Sequence, residues 1–168
     1  EQGFPPFIIT KNFANITERG FATDLIKFAT DKIGITFQPV YVKDFQHSLS
    51  TIEQDQAQLL VNVEYAQKRE NKYQFSIPYL KAHYSLTYNP TMTMVEHYNQ
   101  LGQLDIAAVE GFNATEMLQQ RFPKAKFILF NTIEEAITAV ADGKASVFIG
   151  RSLTSSYLIK QKRLSNLT

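Results

Sequence analysis

The stretch that decides the fold runs from residue 106 to residue 149 and reads IAAVEGFNATEMLQQRFPKAKFILFNTIEEAITAVADGKASVFI. The stretch contains three apolar runs, and the two segments between these runs carry polar and apolar residues at helical spacing. Strands that alternate with helices of this length predict a parallel sheet with right-handed crossovers. The predicted strands are the apolar runs at 106–109, 126–130 and 147–149.

Capping patterns predict where the two helices of this stretch begin. Asn113 is followed three residues later by Glu116, and Thr132 is followed at the same spacing by Glu135. Both pairs match a capping box, in which each side chain bonds the backbone N–H of the other residue. Gly143 predicts the end of the second helix, because glycine adopts the left-handed conformation that closes a helix.

The first half of the chain shows the same alternation less clearly. Apolar spacing predicts helices from Gly20 to Gly34 and from Phe45 to Gln54. A short apolar run at 7–9 precedes them, and the later runs at 35–42, 59–63 and 82–88 are typical of strands. Pro39 indicates an edge or a bulge for the first of these, whereas 59–63 has the composition of a buried strand. We therefore predict an α/β protein of two lobes, residues 1–89 and 90–168.

Composition excludes several classes of function. The 168 residues include 17 basic and 16 acidic side chains, so the strong basic excess of a nucleic-acid-binding protein is missing. No run of about 18 apolar residues could span a membrane. Cysteine is absent, the three histidines lack metal-ligand spacing, and neither a glycine-rich phosphate loop nor a nucleophile elbow occurs. We expect no catalytic residues, no metal and no cofactor.

Several short motifs follow one another along the chain in a recognisable order. They are Pro6-Phe7, Gly20 with Asp24-Leu25, Arg69, residues 75–79, Gly111, and Glu135-Ala136 to Gly143. This order resembles the bacterial extracellular solute-binding proteins of family 3, the polar amino-acid type. The resemblance implies a periplasmic-binding-protein-like (Venus flytrap) fold, which closes its cleft on a small molecule in the periplasm. By comparison with the family, we expect the chain to be truncated at both ends, without the first strand and the C-terminal return.

The resemblance also implies ligand-binding residues. Arg69 matches the arginine that holds the ligand carboxylate, and its planar fork suits bidentate binding. Gly111, Phe112 and Asn113 match the helix N-terminus that faces the ligand, while Phe7 matches a ring that packs on it. The alternatives are a solvated arginine at 69, simple helix capping by Asn113 and core packing by Phe7.

Three further positions depart from the family pattern or leave the ligand open. Asn62 and Glu64 match positions that usually present small hydroxyl or backbone groups, and Glu64 would repel an anion unless it meets a cation. Arg151 stands where amino-acid binders usually carry the acid that holds the α-ammonium. Three possibilities follow for the ligand: Glu64 receives its ammonium group, or Arg69 and Arg151 hold a dicarboxylate or another anion, or no small molecule binds. The alternative for Glu64 is a surface glutamate on the hinge side, outside the binding site.

The resemblance leads to one function and two alternatives. The leading expectation is the periplasmic sensor domain of a transmembrane signalling protein, which binds an amino acid or a small carboxylate and reaches the membrane only through a tether outside this segment. The alternatives are a solute-binding protein of an ABC transporter, and a non-catalytic domain of a transglycosylase or dehydratase-like enzyme. The ligand, the output domain and a homodimeric state are left open by the sequence.

Overall fold

The computed structural model describes residues 4–9 and 19–168. A four-stranded sheet forms its centre, flanked by the helices of the second half of the chain. Short 3-10 helices occur at Gln67–Arg69 and Tyr98–Gln103. The regular elements are α1 (Phe21–Ile33), α2 (Phe45–Glu53), β1 (Tyr84–Tyr88), β2 (Asp105–Val109), α3 (Asn113–Arg121), β3 (Lys126–Phe130), α4 (Ile133–Ala141), β4 (Val147–Arg151) and α5 (Ser152–Lys162).

The sheet has the strand order β1-β4-β2-β3. Strand β2 pairs in parallel with both β3 and β4, as the alternation of strands and helices predicts. Strand β1 pairs antiparallel with β4, and Tyr84 lies opposite Arg151 in this pairing. The strand at 82–88 is therefore confirmed in slightly shorter form, and it belongs to the same sheet as the strands of the second half.

Helix ends agree with the sequence signals at three of four positions. Gly143 follows the end of α4 in the left-handed conformation, at φ 73°, as predicted. Gly34 closes α1 in the left-handed conformation, at φ 68°, and donates its N–H to the carbonyl of Thr30. Thr132 and Glu135 form the predicted capping box at the start of α4. The predicted capping box of Asn113 and Glu116 is wrong. Asn113 is already the first helical residue of α3, and its side-chain amide contacts the sulfur of Met117 instead.

The strands predicted at 35–42 and 59–63 are absent. Neither segment forms a ladder within the described ranges 4–9 and 19–168, and most of 35–42 is exposed. The run at 7–9 forms only isolated bridges, Phe4 with Ile8 and Ile9 with Arg19. Strand composition fits a pleated, half-buried surface, but a strand forms only where a neighbouring backbone accepts and donates its hydrogen bonds.

The apolar core lies mainly on both faces of the sheet. Ile106, Ala107 and Val147 are fully buried in its middle strands, while Ile137 of α4 and Leu158 of α5 cover it. By contrast, α1 buries only Ala22 and Thr30. The second half of the chain thus supplies most of the buried apolar core of the described residues. The division into lobes at residues 89 and 90 stays a prediction.

Candidate functional site

A cavity of about 990 Å³ lies between the first half of the chain and one end of the sheet. The end of β4 and the start of α3 form one wall, at Arg151 and Asn113. On the other side the cavity is lined by α1, by the segments 35–42 and 57–64, and by Arg69. A substantial part of its wall therefore comes from 35–42 and 59–63, which the sequence predicts as strands and which form no ladder in the described ranges.

Glu64 is the centre of the polar groups in this cavity. Its Oε2 accepts a hydrogen bond of 2.5 Å from the hydroxyl of Tyr84, and Nη2 of Arg151 lies 3.5 Å from the same oxygen. The side chains of Arg151 and Glu64 are 17% and 30% exposed, so both charges are partly desolvated. The guanidinium of Arg151 also lies over the ring of Phe4, 5.9 Å from its centroid.

The register of the sheet explains why these groups meet. Tyr84 opens β1 and Arg151 closes β4, and directly opposite residues of an antiparallel pair project to the same face. Desolvation, and next the hydrogen bond to Glu64, raise the pKa of Tyr84 well above its usual value. The hydroxyl therefore stays protonated at physiological pH and acts as a donor to the carboxylate.

Arg69 is buried, with only 6% of its surface exposed. Its Nη1 donates to the carbonyl of Glu64 at 2.9 Å, and its Nη2 donates to the carbonyl of Gly111 at 3.3 Å. The guanidinium also lies 5.2 Å from the centroid of the Phe45 ring. Burial lowers the pKa of Arg69, although it stays a cation at any physiological pH. The solvated alternative for Arg69 does not agree with this environment.

The contact of Arg69 with Gly111 joins two distant parts of the chain. Residues 64–69 precede the sheet, whereas Gly111 follows β2 and adopts a φ of 74°. An ion pair of Lys68 with Glu116 on the first turn of α3 lies beside this contact. Glu116 thus serves this pair and not the capping box predicted for it. The two halves of the chain meet here through charged groups as well as through apolar ones.

Asn62 has a polar group without a partner. Its backbone adopts the left-handed conformation at φ 61°, and its N–H donates to the hydroxyl of Tyr79 at 2.9 Å. Within the part of the chain that the structure describes, the buried side-chain nitrogen Nδ2 has no acceptor. Asn62 lines the same cavity as Glu64 and Arg69. An unsatisfied buried donor favours a ligand that brings an acceptor to this wall.

Aromatic rings close the cavity beside the start of α3. Phe112, the N-cap residue of α3, makes edge contacts with Phe45 at 5.4 Å and with Phe4 at 6.4 Å between centroids. Phe7 packs on Phe4 at 5.5 Å but is only 2% exposed and belongs to the core. The structure therefore favours core packing for Phe7, while Phe4 takes the position on the cavity wall.

Most of the predicted site residues lie together. Gly111 contributes a carbonyl to Arg69 but does not line the cavity, and Phe7 lies behind the wall. The sequence reasoning missed Tyr84, Phe4 and Phe45. Tyr84 is revealed only by the register of β1 against β4. Phe4 and Phe45 lie among apolar residues in the sequence, and this pattern predicts core packing and not a binding site. The predicted residues on the cavity wall are Asn62, Glu64, Arg69, Phe112, Asn113 and Arg151.

Metal and membrane features are missing among the described residues. No group of three or more His, Cys, Asp or Glu side chains in 4–9 and 19–168 is placed to hold a metal ion. In the same ranges no helix has both the length and the apolar character needed to cross a bilayer.

The sequence as a whole matches a known family. A profile of the bacterial extracellular solute-binding proteins, family 3, matches residues 1–147. The chain belongs to this family. The assignment places the segment among binding domains and not among enzymes, as the sequence analysis predicts. It also confirms the resemblance on which that analysis depends.

Relatives of this family-3 chain include sensor proteins. It is 28% identical over 165 residues to the virulence sensor protein BvgS of Bordetella pertussis. The matched region covers 97% of this chain and 13% of that protein. The chain thus spans only a small part of the length of the relatives it matches.

Solved structures confirm the fold. The sensor domain of a histidine kinase with similarity to periplasmic binding proteins superposes with a TM-score of 0.92 at 17% identity, over 100% of this chain and 72% of the other. The arginine-, lysine-, histidine-binding protein ArtJ of Geobacillus stearothermophilus gives 0.87 at 17% identity, over 99% and 71%. At these identities the likeness establishes a periplasmic-binding-protein-like α/β fold.

Proposed function

We propose that this chain is the periplasmic ligand-binding sensor domain of a transmembrane signalling protein, and that its cavity closes on an amino acid or a small carboxylate. The observation that carries the proposal is the charge cluster in the cavity. Arg69, Arg151 and Glu64 are partly or fully buried there, although buried charges are costly unless they serve binding or are paired.

The family supports the ligand-binding part of this proposal, whereas the relatives bear on the choice between a sensor and a transport protein. Family 3 consists of extracellular solute-binding proteins, which supports a small-molecule ligand and an extracytoplasmic location. The similarity to BvgS covers nearly the whole chain, which supports a sensor more than a transport protein. The likeness to ArtJ keeps a transport-coupled binding protein as the second candidate.

The ligand would contact both sides of the cavity. Arg151 and the first turn of α3 form one side, and Asn62 with Glu64 forms the other. The first N–H groups of a helix have no intrahelical acceptor, so Asn113 and Ala114 offer donors to an anion. A ligand held from both sides binds the closed arrangement more tightly than the open one. The difference between these two affinities sets how far it shifts the population of a hinged domain toward the closed state.

A calorimetric and thermal-shift screen tests the proposal. The panel contains the common amino acids, dicarboxylates and other small anions, because a ligand of the native state raises the melting temperature. Arg151→Met should remove the response to any compound that binds, while Arg121→Met, on the exposed end of α3, should leave it unchanged. A panel without any response, or a response that survives Arg151→Met, would contradict the assignment of this cavity.

Gene context separates the two candidate functions. A sensor requires a transmembrane segment and an output domain in the same polypeptide, whereas a transport-coupled protein requires neither. Sequencing the complete reading frame decides between them without any assay.

A further inference from the structure

We propose that the carboxylate of Glu64 is the internal occupant of an anion site formed by Tyr84 and Arg151, so that Glu64 excludes simple carboxylates and determines the ligand class. The inference rests on the proposed function in treating this cavity as the ligand site. It goes further because it assigns the anion-binding donors and names the group that now fills them.

The donors around Glu64 are those that proteins use for a bound carboxylate. A phenol hydroxyl donates to Oε2 at 2.5 Å, and a guanidinium nitrogen lies 3.5 Å from the same atom. Arg69 approaches from the backbone side, since its Nη1 donates to the carbonyl of Glu64 itself. Charge-assisted bonds from arginine forks are the standard recognition of a carboxylate. Here the recognised carboxylate belongs to the protein.

The pairing of Glu64 is incomplete, which leaves the site open to exchange. A separation of 3.5 Å is longer than the roughly 2.7–2.9 Å of a strong guanidinium–carboxylate bond. Arg151 therefore retains donors for an incoming oxygen. The buried amide nitrogen of Asn62, which lacks an acceptor among the described residues, lines the same cavity.

Charge then selects the ligand. A ligand with anionic groups only must displace Glu64 from Arg151 and leave that carboxylate half-buried beside another negative charge. A ligand that carries a cation beside its carboxylate gives Glu64 a new partner while its own carboxylate takes Arg151. Of the alternatives that the sequence left open, the geometry therefore favours Glu64 as the acceptor of a cationic group over a dicarboxylate held by two arginines.

Removal of the internal carboxylate tests this inference with acetate as the probe. In Glu64→Ala, sodium acetate at high concentration should raise the melting temperature saturably, by at least about 3 °C relative to sodium chloride of equal ionic strength. In the wild type acetate should give no saturable rise, and the two salts should differ only by the gradual, non-saturating effect of salt type on stability. Glu96→Ala, which removes an exposed acid outside the cavity, should behave as the wild type.

A second variant keeps the test decisive if Glu64→Ala does not fold. Glu64→Gln retains the shape of the side chain but presents a neutral acceptor, so acetate should compete with it and give a smaller saturable rise. The absence of any acetate-specific rise in every Glu64 variant that folds would overturn the inference, and so would an equal rise in the wild type.

The acetate test is independent of the ligand screen. A wild type that binds no compound of the panel, with Glu64→Ala still responding to acetate, would end the proposed function and the role of Glu64 in ligand choice, but it would leave Glu64 as the occupant of the Tyr84–Arg151 anion site. A wild type that binds an amino acid, with no acetate response in the variants, would end the inference alone.

Discussion

Tyr84 and Arg151 are cross-strand partners of β1 and β4, and both reach the single oxygen Oε2 of Glu64. Two residues 67 positions apart in sequence thus meet one atom because the sheet register holds them opposite each other. A shift of the register by one residue would turn one of them to the other face of the sheet. The sheet therefore fixes the position of Tyr84 relative to Arg151, while Glu64 reaches them from a segment outside the sheet.

Tyr84→Phe should weaken this arrangement without removing the ring. Loss of the hydroxyl leaves Oε2 of Glu64 with Arg151 as its only polar partner among the described residues. A hydrogen bond to a charged group contributes about 1.5–3 kcal/mol when it is well shielded from water. We expect the free energy of unfolding to fall by about 1 kcal/mol, since the cluster is partly exposed. Urea denaturation measures it, with Tyr98→Phe outside the cavity as the control. An equal effect in both variants would contradict the role of Tyr84.

Arg69→Ala should destabilise the folded protein. The substitution removes two hydrogen bonds to backbone carbonyls and the contact with the Phe45 ring, all at a residue with 6% exposure. We expect a loss of about 2–4 kcal/mol, because charge-assisted bonds at buried sites contribute about 1.5–3 kcal/mol each and are not fully additive. Arg69→Lys should recover part of it, since an ammonium cannot reproduce the fork. Urea denaturation measures the loss, with Arg121→Ala at an exposed position of α3 as the control. An unchanged unfolding midpoint in Arg69→Ala would show that these contacts do not stabilise the protein.

Asp44→Ala should destabilise α2 in a pH-dependent manner. Asp44 caps the helix through a 2.9 Å bond from the backbone N–H of His47. Desolvation opposes ionisation, but the bonds and charge of His47 outweigh it and lower the pKa of Asp44 below its ordinary 3.8. A lowered pKa means that this stabilisation is complete above about pH 4 and is lost as pH falls through the folded-state value. A cap contributes about 1 kcal/mol.

Stability curves of the Asp44→Ala variant and the wild type measure this effect between pH 7 and pH 3. The gap between the two should close at the acidic end, and Asp44→Ser should restore much of the stability at neutral pH while showing less acid dependence. A gap that widened as the pH fell would contradict the assignment.

Thr132→Ala should remove one half of the capping box of α4. The Thr132 hydroxyl accepts from the N–H of Glu135 at 3.2 Å, and the carboxylate of Glu135 accepts from the N–H of Thr132. We expect a loss of about 1 kcal/mol in the free energy of unfolding. Thr138→Ala on the same helix, whose exposed hydroxyl only bonds a carbonyl within the helix, should have a smaller effect. Equal losses in the two variants would point to helix propensity and not to the cap.

The sequence predicted the second half of the fold well because its signals are local. The parallel strands β2, β3 and β4 each contain a run of at least three consecutive apolar residues, and Thr132 with Glu135 forms a capping box within four residues. The first half was predicted less well, since 35–42 and 59–63 have strand composition without a ladder. Composition describes a residue's preference for a sheet but contains no information on whether a neighbouring strand is available.

The candidate site was predictable only in part for the same reason. Arg69 and Arg151 could be singled out from the resemblance to family 3, but their partners depend on contacts between distant segments. Gly111 meets Arg69 across 42 positions, and Tyr84 meets Glu64 across 20. Asn113 was misread as a cap because Phe112, whose ring packs between Phe4 and Phe45, takes the N-cap position.

The segment 35–42 has a practical consequence for handling the isolated polypeptide. Ile35, Phe37 and Val40 are 51%, 44% and 53% exposed, and the backbone between them forms no ladder in the described ranges. A protease that cuts beside bulky apolar residues acts preferentially on exposed backbone outside helices and strands. Such a protease should therefore cut in this stretch, and the sheet with α3, α4 and α5 should survive as a resistant fragment for crystallisation or NMR.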